Sequence, residues 1–450
     1  MASWFPTASE LDQWVDDDPL LGLTPGCLRK RVDAHREALG QRDPETCRRG
    51  GVAVCERDPI DYLITVLACC LEGFPVWFCS HRWGSQEWQV FGDQACPGTL
   101  VGKGPAVPPC GQAEPQNHLA DAPFLVPGGG TTGRLRFARH TWTTLSAAAD
   151  GLLRLDWIGE GPLNSVVVLP LSHVSGWMPV VRAIRSGGKL LVPADPKRVP
   201  PCPEDRCSGI WTLSLVPTQI ERLLRDPALS PPSLNGFDVI FVGGAQLGAD
   251  LAAGARKAGW PLSPCYGMTE TAAMVTARSP QAFLHEQSLQ AVGEPLPHVD
   301  LTLGEAGQVV IGNGTGSLFL GYHGQAPRPT GEAFATGDCG QWLEDGQLLI
   351  HGRIDGTLIT GGEKVDPREV ASVLPQVIPE IRKAVIRGRP DREWGTALEA
   401  EIRLHPETAE WRPDQWRQEL RGRLAPHKIP RYWVRADPAS AVESHRPKEG

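Results

Sequence analysis

The sequence predicts an α/β protein, with a large N-terminal unit of mixed sheets and helices and a small C-terminal α+β unit. Three observations predict it. Short apolar runs alternate with amphipathic stretches over most of the chain. The 50 Gly and 42 Pro are spread throughout, which favours many turns and disfavours global disorder. The pattern then changes near Gly352–Gly356, which sets the expected units at 1–354 and 355–450.

Each element follows from its own residues. Ile60 to Leu71 reads as a buried helix, and Pro75 to Cys79 as a short strand after a Gly turn. Ser165 to Leu169 is continuous and β-branched, as suits a strand covered on both faces. Thr218 to Arg225 has helix character, with Pro217 fitted to the first turn. Val239 to Val242 is a second buried strand, ending at Gly243-Gly244. The Pro- and Gly-rich stretches 97–116 and 196–208 read as loops. Beyond the boundary, Glu369 to Leu374, Ala384 to Ile386, Ala400 to Leu404 and Trp416 to Leu424 read as helix, strand, strand and helix.

Composition excludes several classes. Apolar content of 41% and charged content of 21% give enough material for a large core. A net charge of -8 argues against a general nucleic-acid binder, which needs basic surface to meet phosphates. No run reaches the roughly 18 apolar residues of a membrane span. The acidic start, with Asp16, Asp17 and Asp18, fits neither a signal nor a transit peptide. A cytoplasmic location is expected. The 12 Cys show no CxxC pair and read as reduced, mostly buried thiols. Cys202 and Cys207 lack a second ligand pair at zinc spacing.

Four segments carry chemistry. Pro127 to Arg136 is a Gly/Thr loop whose backbone N–H groups and hydroxyls suit phosphate oxygens. Gly128 and Gly133 have Walker spacing, but Arg134 and Leu135 stand where Lys and Ser or Thr belong, which disfavours a P-loop. Tyr266 to Thr271 offers an aromatic ring, a Thr donor and Glu270, an oxygen ligand for Mg²⁺. Thr336-Gly337-Asp338 places an acid after a turn, where it can accept two ribose hydroxyls. Gly352 to Gly356 is followed by Gly361-Gly362-Glu363-Lys364-Val365. Taken singly, each segment also reads as a plain turn, buried Tyr or strand-end acid.

In this order and spacing, the set resembles the adenylate-forming superfamily of acyl-CoA synthetases, peptide-synthetase adenylation domains and luciferases. Residues 128–136, 266–270, 336–338, 352–355 and Gly362 to Val370 match that family's ordered signatures. Arg136 to Trp142, Leu169 to Gly176 and Val216 to Gln219 resemble the o-succinylbenzoate–CoA ligase branch.

The resemblance implies an enzyme of two half-reactions, using ATP, Mg²⁺, CoA and a small carboxylic acid. Gly130, Thr131, Thr132, Gly133 and Arg136 would cover the phosphates. Gly243, Gly244, Ala245, Tyr266 and Gly267 would enclose the base. Asp338, with Arg353, would hold the ribose. Thr269 would face the α-phosphate and Glu270 the metal. His173, Ser175 and Arg182 would line the acid pocket. Gly361, Gly362, Glu363 and Lys364 would meet the pantetheine arm after a rotation about Asp355. Three departures stand out. Gly128 and Gly129 replace hydroxyl residues, Arg136 replaces a common Lys, and Lys448 or Arg446 stands near the family's C-terminal lysine. The competing expectations are a ligase for another aryl or acyl carboxylate and a degenerate adenylate-binding protein.

Overall fold

The computed structural model describes residues 5–436, except 18, 96, 105–118, 120, 122, 130–134, 197, 204–207, 227–233, 286–289, 330, 355 and 406–409. The chain is a mixed α/β protein whose sheets have five, seven, four, two and three strands. In the five-stranded sheet, Thr99–Gly102, Val52–Cys55, Val76–Phe78 and Phe124–Gly129 run parallel. Leu135–His140 closes its edge antiparallel to Phe124–Gly129. In the seven-stranded sheet, Leu190–Leu191, Leu163–Val166, Ile210–Leu215, Val239–Val242 and Leu262–Met268 are parallel. Ala273–Ala277 and Glu294–Pro295 turn antiparallel beyond them. The four-stranded sheet is an antiparallel meander from Leu301–Leu303 to Leu348–Arg353.

Local chemistry fixes the ends of the elements. The helix Pro59–Glu72 starts at Asp58, whose carboxylate accepts from the N–H of Ile60 and Asp61, and stops at Gly73 with φ 67°. Pro217 opens Pro217–Arg225 as expected. The helix Val174–Ser186 contains Pro179. That proline has no N–H to offer the carbonyl of Ser175 four residues back.

Three expectations need adjustment. The strand expected at Ser165 to Leu169 is Leu163–Val166, two residues earlier. Part of the expected 97–116 loop is the edge strand Thr99–Gly102. The last helix, Pro413–Leu420, ends four residues early, because Arg421 is extended (ψ 134°) and Gly422 has φ 83°.

The largest core cluster packs the helices Pro59–Glu72, Trp142–Leu153 and Val174–Ser186 against the five-stranded sheet. Residues 365–424 hold a separate core, in which Val370, Leu374, Leu398, Trp416 and Leu420 pack together. Strands Ile381–Asp391, Gly395–Leu404 and Tyr432–Arg435 form its sheet. Among the described cysteines, Cys47, Cys55, Cys69, Cys70, Cys79 and Cys202 are buried. No described helix is long and apolar enough to cross a membrane.

Candidate active site

The strand Leu262–Met268 ends in a tight 3-10 turn, Thr269–Thr271. Two constraints shape this corner. A Cβ on Gly267 would lie 1.8 Å from the carbonyl oxygen of Ala273, so only glycine fits there. Ala272 and Ala273 then take φ of 53° and 77°, a region that side-chain-bearing residues enter at a cost. The Thr271 hydroxyl lies 3.1 Å from Met268 O and 2.7 Å from Ala273 O, and holds the turn shut. The strained corner presents Thr269 and Glu270 together.

Thr269 lies against Gly128, on the strand that precedes the expected phosphate loop. A Cβ on Gly128 would meet its Oγ1 at 3.3 Å, so the strand leading into that loop lies against the hydroxyl. Behind it, Nε2 of buried His140 lies 2.8 Å from the Thr269 carbonyl, and Nδ1 lies 3.0 Å from the Thr144 hydroxyl. A carbonyl only accepts, so Nε2 carries the proton. Burial pushes the imidazole down from 6.5 to about 4, which keeps it neutral.

Glu270 is buried, and its Oε1 accepts a 2.5 Å hydrogen bond from the Tyr322 hydroxyl. The guanidinium of Arg136 lies over the Tyr322 ring, 5.1 Å from its centre. Arg136, Tyr322 and Glu270 thus form a chain from the loop strand to the turn. Burial, with Glu270 beside it, raises the Tyr322 phenol, so it stays a donor.

Asp338 and Arg353 are cross-strand partners. Oδ1 of Asp338 accepts from Arg353 at 3.0 Å and Oδ2 from the Tyr266 hydroxyl at 2.7 Å. Gly337, with φ 76°, leaves room for the guanidinium, since a Cβ there would lie 2.7 Å from Nη2. A carboxylate offers about four lone-pair sites, so Asp338 keeps accepting capacity after these two bonds. Tyr266 caps Asp338 through its hydroxyl, which orients the ring that sequence alone placed by the base.

Gly361 (φ 60°) and Gly362 (φ 87°) form the two-residue turn of the hairpin Leu358–Thr360 and Glu363–Val365. This turn sits on the loop after Val239–Val242: a Cβ on Gly244 would meet Gly362 Cα at 3.6 Å. Ala245 follows that contact and Lys364 pairs with Ile359 in the hairpin. Glu363 reaches His173, with Oε1 3.4 Å from Nε2. Burial would raise the Glu363 carboxyl, but His173, His427, Lys428 and Arg82 together hold it below its ordinary range. His173 is the N-cap of Val174–Ser186, which also carries Ser175 and Arg182.

Arg182 is 4% exposed. Its guanidinium lies over Phe241, 5.2 Å from the ring centre. Nη1 has no hydrogen-bond partner among the described residues, and none of them forms an ion pair with this side chain. Burial pushes it down to about 10, which still leaves it charged at neutral pH.

Of the expected site residues, described contacts join Gly128 to Thr269, Arg136 to Glu270 through Tyr322, Tyr266 and Arg353 to Asp338, His173 to Glu363, and Gly244 to Gly362. Gly130, Thr131, Thr132, Gly133, Asp355, Arg446 and Lys448 lie outside the described residues. Three residues escaped sequence reasoning, two as site members and one, Lys428, as a neighbour that helps lower the Glu363 carboxyl. His140 lay inside a quoted stretch, next to the helix N-cap Thr141. Tyr322 and Lys428 had no local signal.

Residues 85–327, more than half of the sequence, match the AMP-binding enzyme family. The chain belongs to that family. Among curated relatives, the 2-succinylbenzoate–CoA ligase of Lactococcus lactis is 30% identical over 273 residues, 59% of this chain and 57% of the relative. The matched stretch is thus less than two thirds of that ligase. The amide bond synthetase McbA of Marinactinospora thermotolerans has the same fold, with a TM-score of 0.77, 22% identity and 95% coverage of both chains. An o-succinylbenzoate CoA synthetase from Bacillus subtilis, bound with a product analogue, gives 0.76 at 20% identity, covering 97% of this chain and 95% of that one.

Proposed function

We propose that this AMP-binding family member is an AMP-forming acid–thiol ligase. Its acid is a dicarboxylate, with o-succinylbenzoate the leading candidate, which would place it in menaquinone or phylloquinone biosynthesis. The observation that carries the choice of acid is Arg182, a buried charge that forms no ion pair with a carboxylate among the described residues. A buried cation without a partner is costly. A ligand carboxylate would relieve that cost, and a guanidinium can grip it through two parallel hydrogen bonds.

In the first half-reaction the acid's reacting carboxylate attacks the α-phosphate of ATP. A new O–P bond forms, the bond to pyrophosphate breaks, and an acyl-adenylate results. Charge grows on the phosphoryl oxygens, so donors must already be aimed there. The Thr269 hydroxyl lies next to Gly128 for this role, and the strained turn fixes its direction. Glu270, a single buried carboxylate held by Tyr322, suits a Mg²⁺ that arrives with the nucleotide, since that ion takes few protein oxygens. Mg²⁺ would neutralise charge on the departing pyrophosphate. Asp338 would accept from ribose hydroxyls. In the second half-reaction, CoA sulfur bonds to the acyl carbon, AMP leaves and the thiol proton passes to solvent. Glu363 and the Gly361–Gly362 turn stand beside His173, where a thiol arm would enter.

The test is pyrophosphate release with ATP, Mg²⁺ and a panel of acids, with and without CoA. Release that needs the acid, and thioester that needs CoA, would support the reading. Neither product with any acid would leave an adenylate-binding protein without turnover.

A further inference from the structure

The small unit meets the large one at a buried ionic cluster that the proposed chemistry does not use. Lys428, 5% exposed, lies in the turn Pro426–Lys428. Its Nζ is 2.8 Å from Oε1 of Glu369 and 3.2 Å from Oε1 of Glu87. Glu369 belongs to the helix Pro367–Val377 of the small unit, and Glu87 to the helix Ser85–Gln94 of the large one. Gln86 donates to Glu369 at 3.3 Å, and the Ser85 N–H donates to the Gly422 carbonyl at 2.9 Å. One cation therefore joins three elements from both units.

The turn that carries Lys428 also packs on the strand Glu363–Val365. That strand brings Glu363 to His173 and follows the Gly362 contact with Gly244. Fixing Lys428 thus fixes the Gly361–Lys364 turn over the site. We propose that Lys428 is a positioning residue for thiol transfer: its pair of carboxylates fastens the small unit in the pose where the turn covers the acid pocket. This inference rests on the two half-reactions proposed above.

The chemistry of the seam argues for a reversible fastening. Two carboxylates share one ammonium, and Oε2 of Glu369 has no hydrogen-bond partner among the described residues. Burying three charges offsets much of their attraction, and on separation each returns to water. An apolar seam of the same shape would have no such compensation and would hold the units more firmly. The ionic seam therefore lets the small unit leave for the first half-reaction.

The test separates the two steps. Adenylate formation is read as pyrophosphate release without CoA, and transfer as thioester from supplied acyl-adenylate and CoA. Lys428→Ala should slow transfer by about tenfold or more while adenylate formation stays within about twofold. Lys428→Arg should restore most of the loss, because it keeps the charge. The Gly84 N–H donates to Oε2 of Glu87 at 2.9 Å, so the seam Glu87→Gln/Lys428→Met/Glu369→Leu keeps that acceptor while removing the charges, and should do the reverse: transfer retained, adenylate formation slowed. Small-angle scattering of the same proteins reads the seam without turnover: Lys428→Ala should enlarge the radius of gyration and the triple variant should not. Equal loss in both steps with an unchanged radius, or no change at all, would overturn the proposal. A wild type inactive with every acid would defeat the activity assigned above, and scattering would still decide the seam.

Discussion

Arg182 is where substrate choice becomes measurable at the scale of one side chain. If it grips a second carboxylate in a dry pocket, Arg182→Ala strands that charge, at a cost on the order of 3–5 kcal/mol. The expected result is a several-hundredfold loss of kcat/KM for o-succinylbenzoate, about the factor that cost implies. A surrogate without the non-reacting carboxylate should lose far less. An equal drop for both acids would reduce Arg182 to a packing role. His140 gives a second residue-scale prediction. Burial takes its imidazole from 6.5 to about 4 in the fold, so on acidification the unfolded chain binds the proton first. Its stabilisation is complete above about pH 6.5 and drains away towards pH 4, amounting to about 3 kcal/mol for such a shift. Burial lowers His298 and His323 to about 4 as well, with the same sign. Melting temperature should fall between pH 7 and 4.5. His140→Gln, which can still donate to Thr269, should flatten part of that slope; an unchanged slope would refute the assignment.

At the scale of elements, the helix Pro59–Glu72 was legible because Asp58, Pro59 and Gly73 mark both ends. Asp58→Ala should cost about 1 kcal/mol through the lost cap, seen as a lower urea midpoint at unchanged slope. The strand Thr99–Gly102 was not legible: its Gly and Pro neighbours advertise turns, and pairing with Val52–Cys55 overrides them. The site divides the same way. Thr269, Glu270, Asp338 and Arg353 stand in compact motifs whose spacing survives folding. His140, Tyr322 and Lys428 act through partners 129, 52 and 59 residues away. No periodicity encodes such pairings. Pro179 shows a further limit: proline disfavours a helix interior, yet the helix Val174–Ser186 continues through it.

For the whole molecule, the ion pairs between the units among the described residues are Lys428 with Glu87, Glu363 with His173, and Arg222 with Glu393 at 2.8 Å. The proposal that the small unit turns about Asp355 makes a direct prediction. Asp355→Pro, by holding φ near -65°, should impair one half-reaction much more than the other. Equal impairment, read with acid plus ATP and then with supplied adenylate plus CoA, would argue against alternation. The account as a whole turns on which acid the wild-type chain activates. The deciding measurement is ATP- and CoA-dependent thioester formation, compared as kcat/KM for o-succinylbenzoate and for its analogue lacking the second carboxylate. The account predicts AMP and thioester in equal amounts, with the dicarboxylate preferred by about a hundredfold or more, as a buried charge pair allows. Equal use of both acids, or preference for the monocarboxylate, would contradict it.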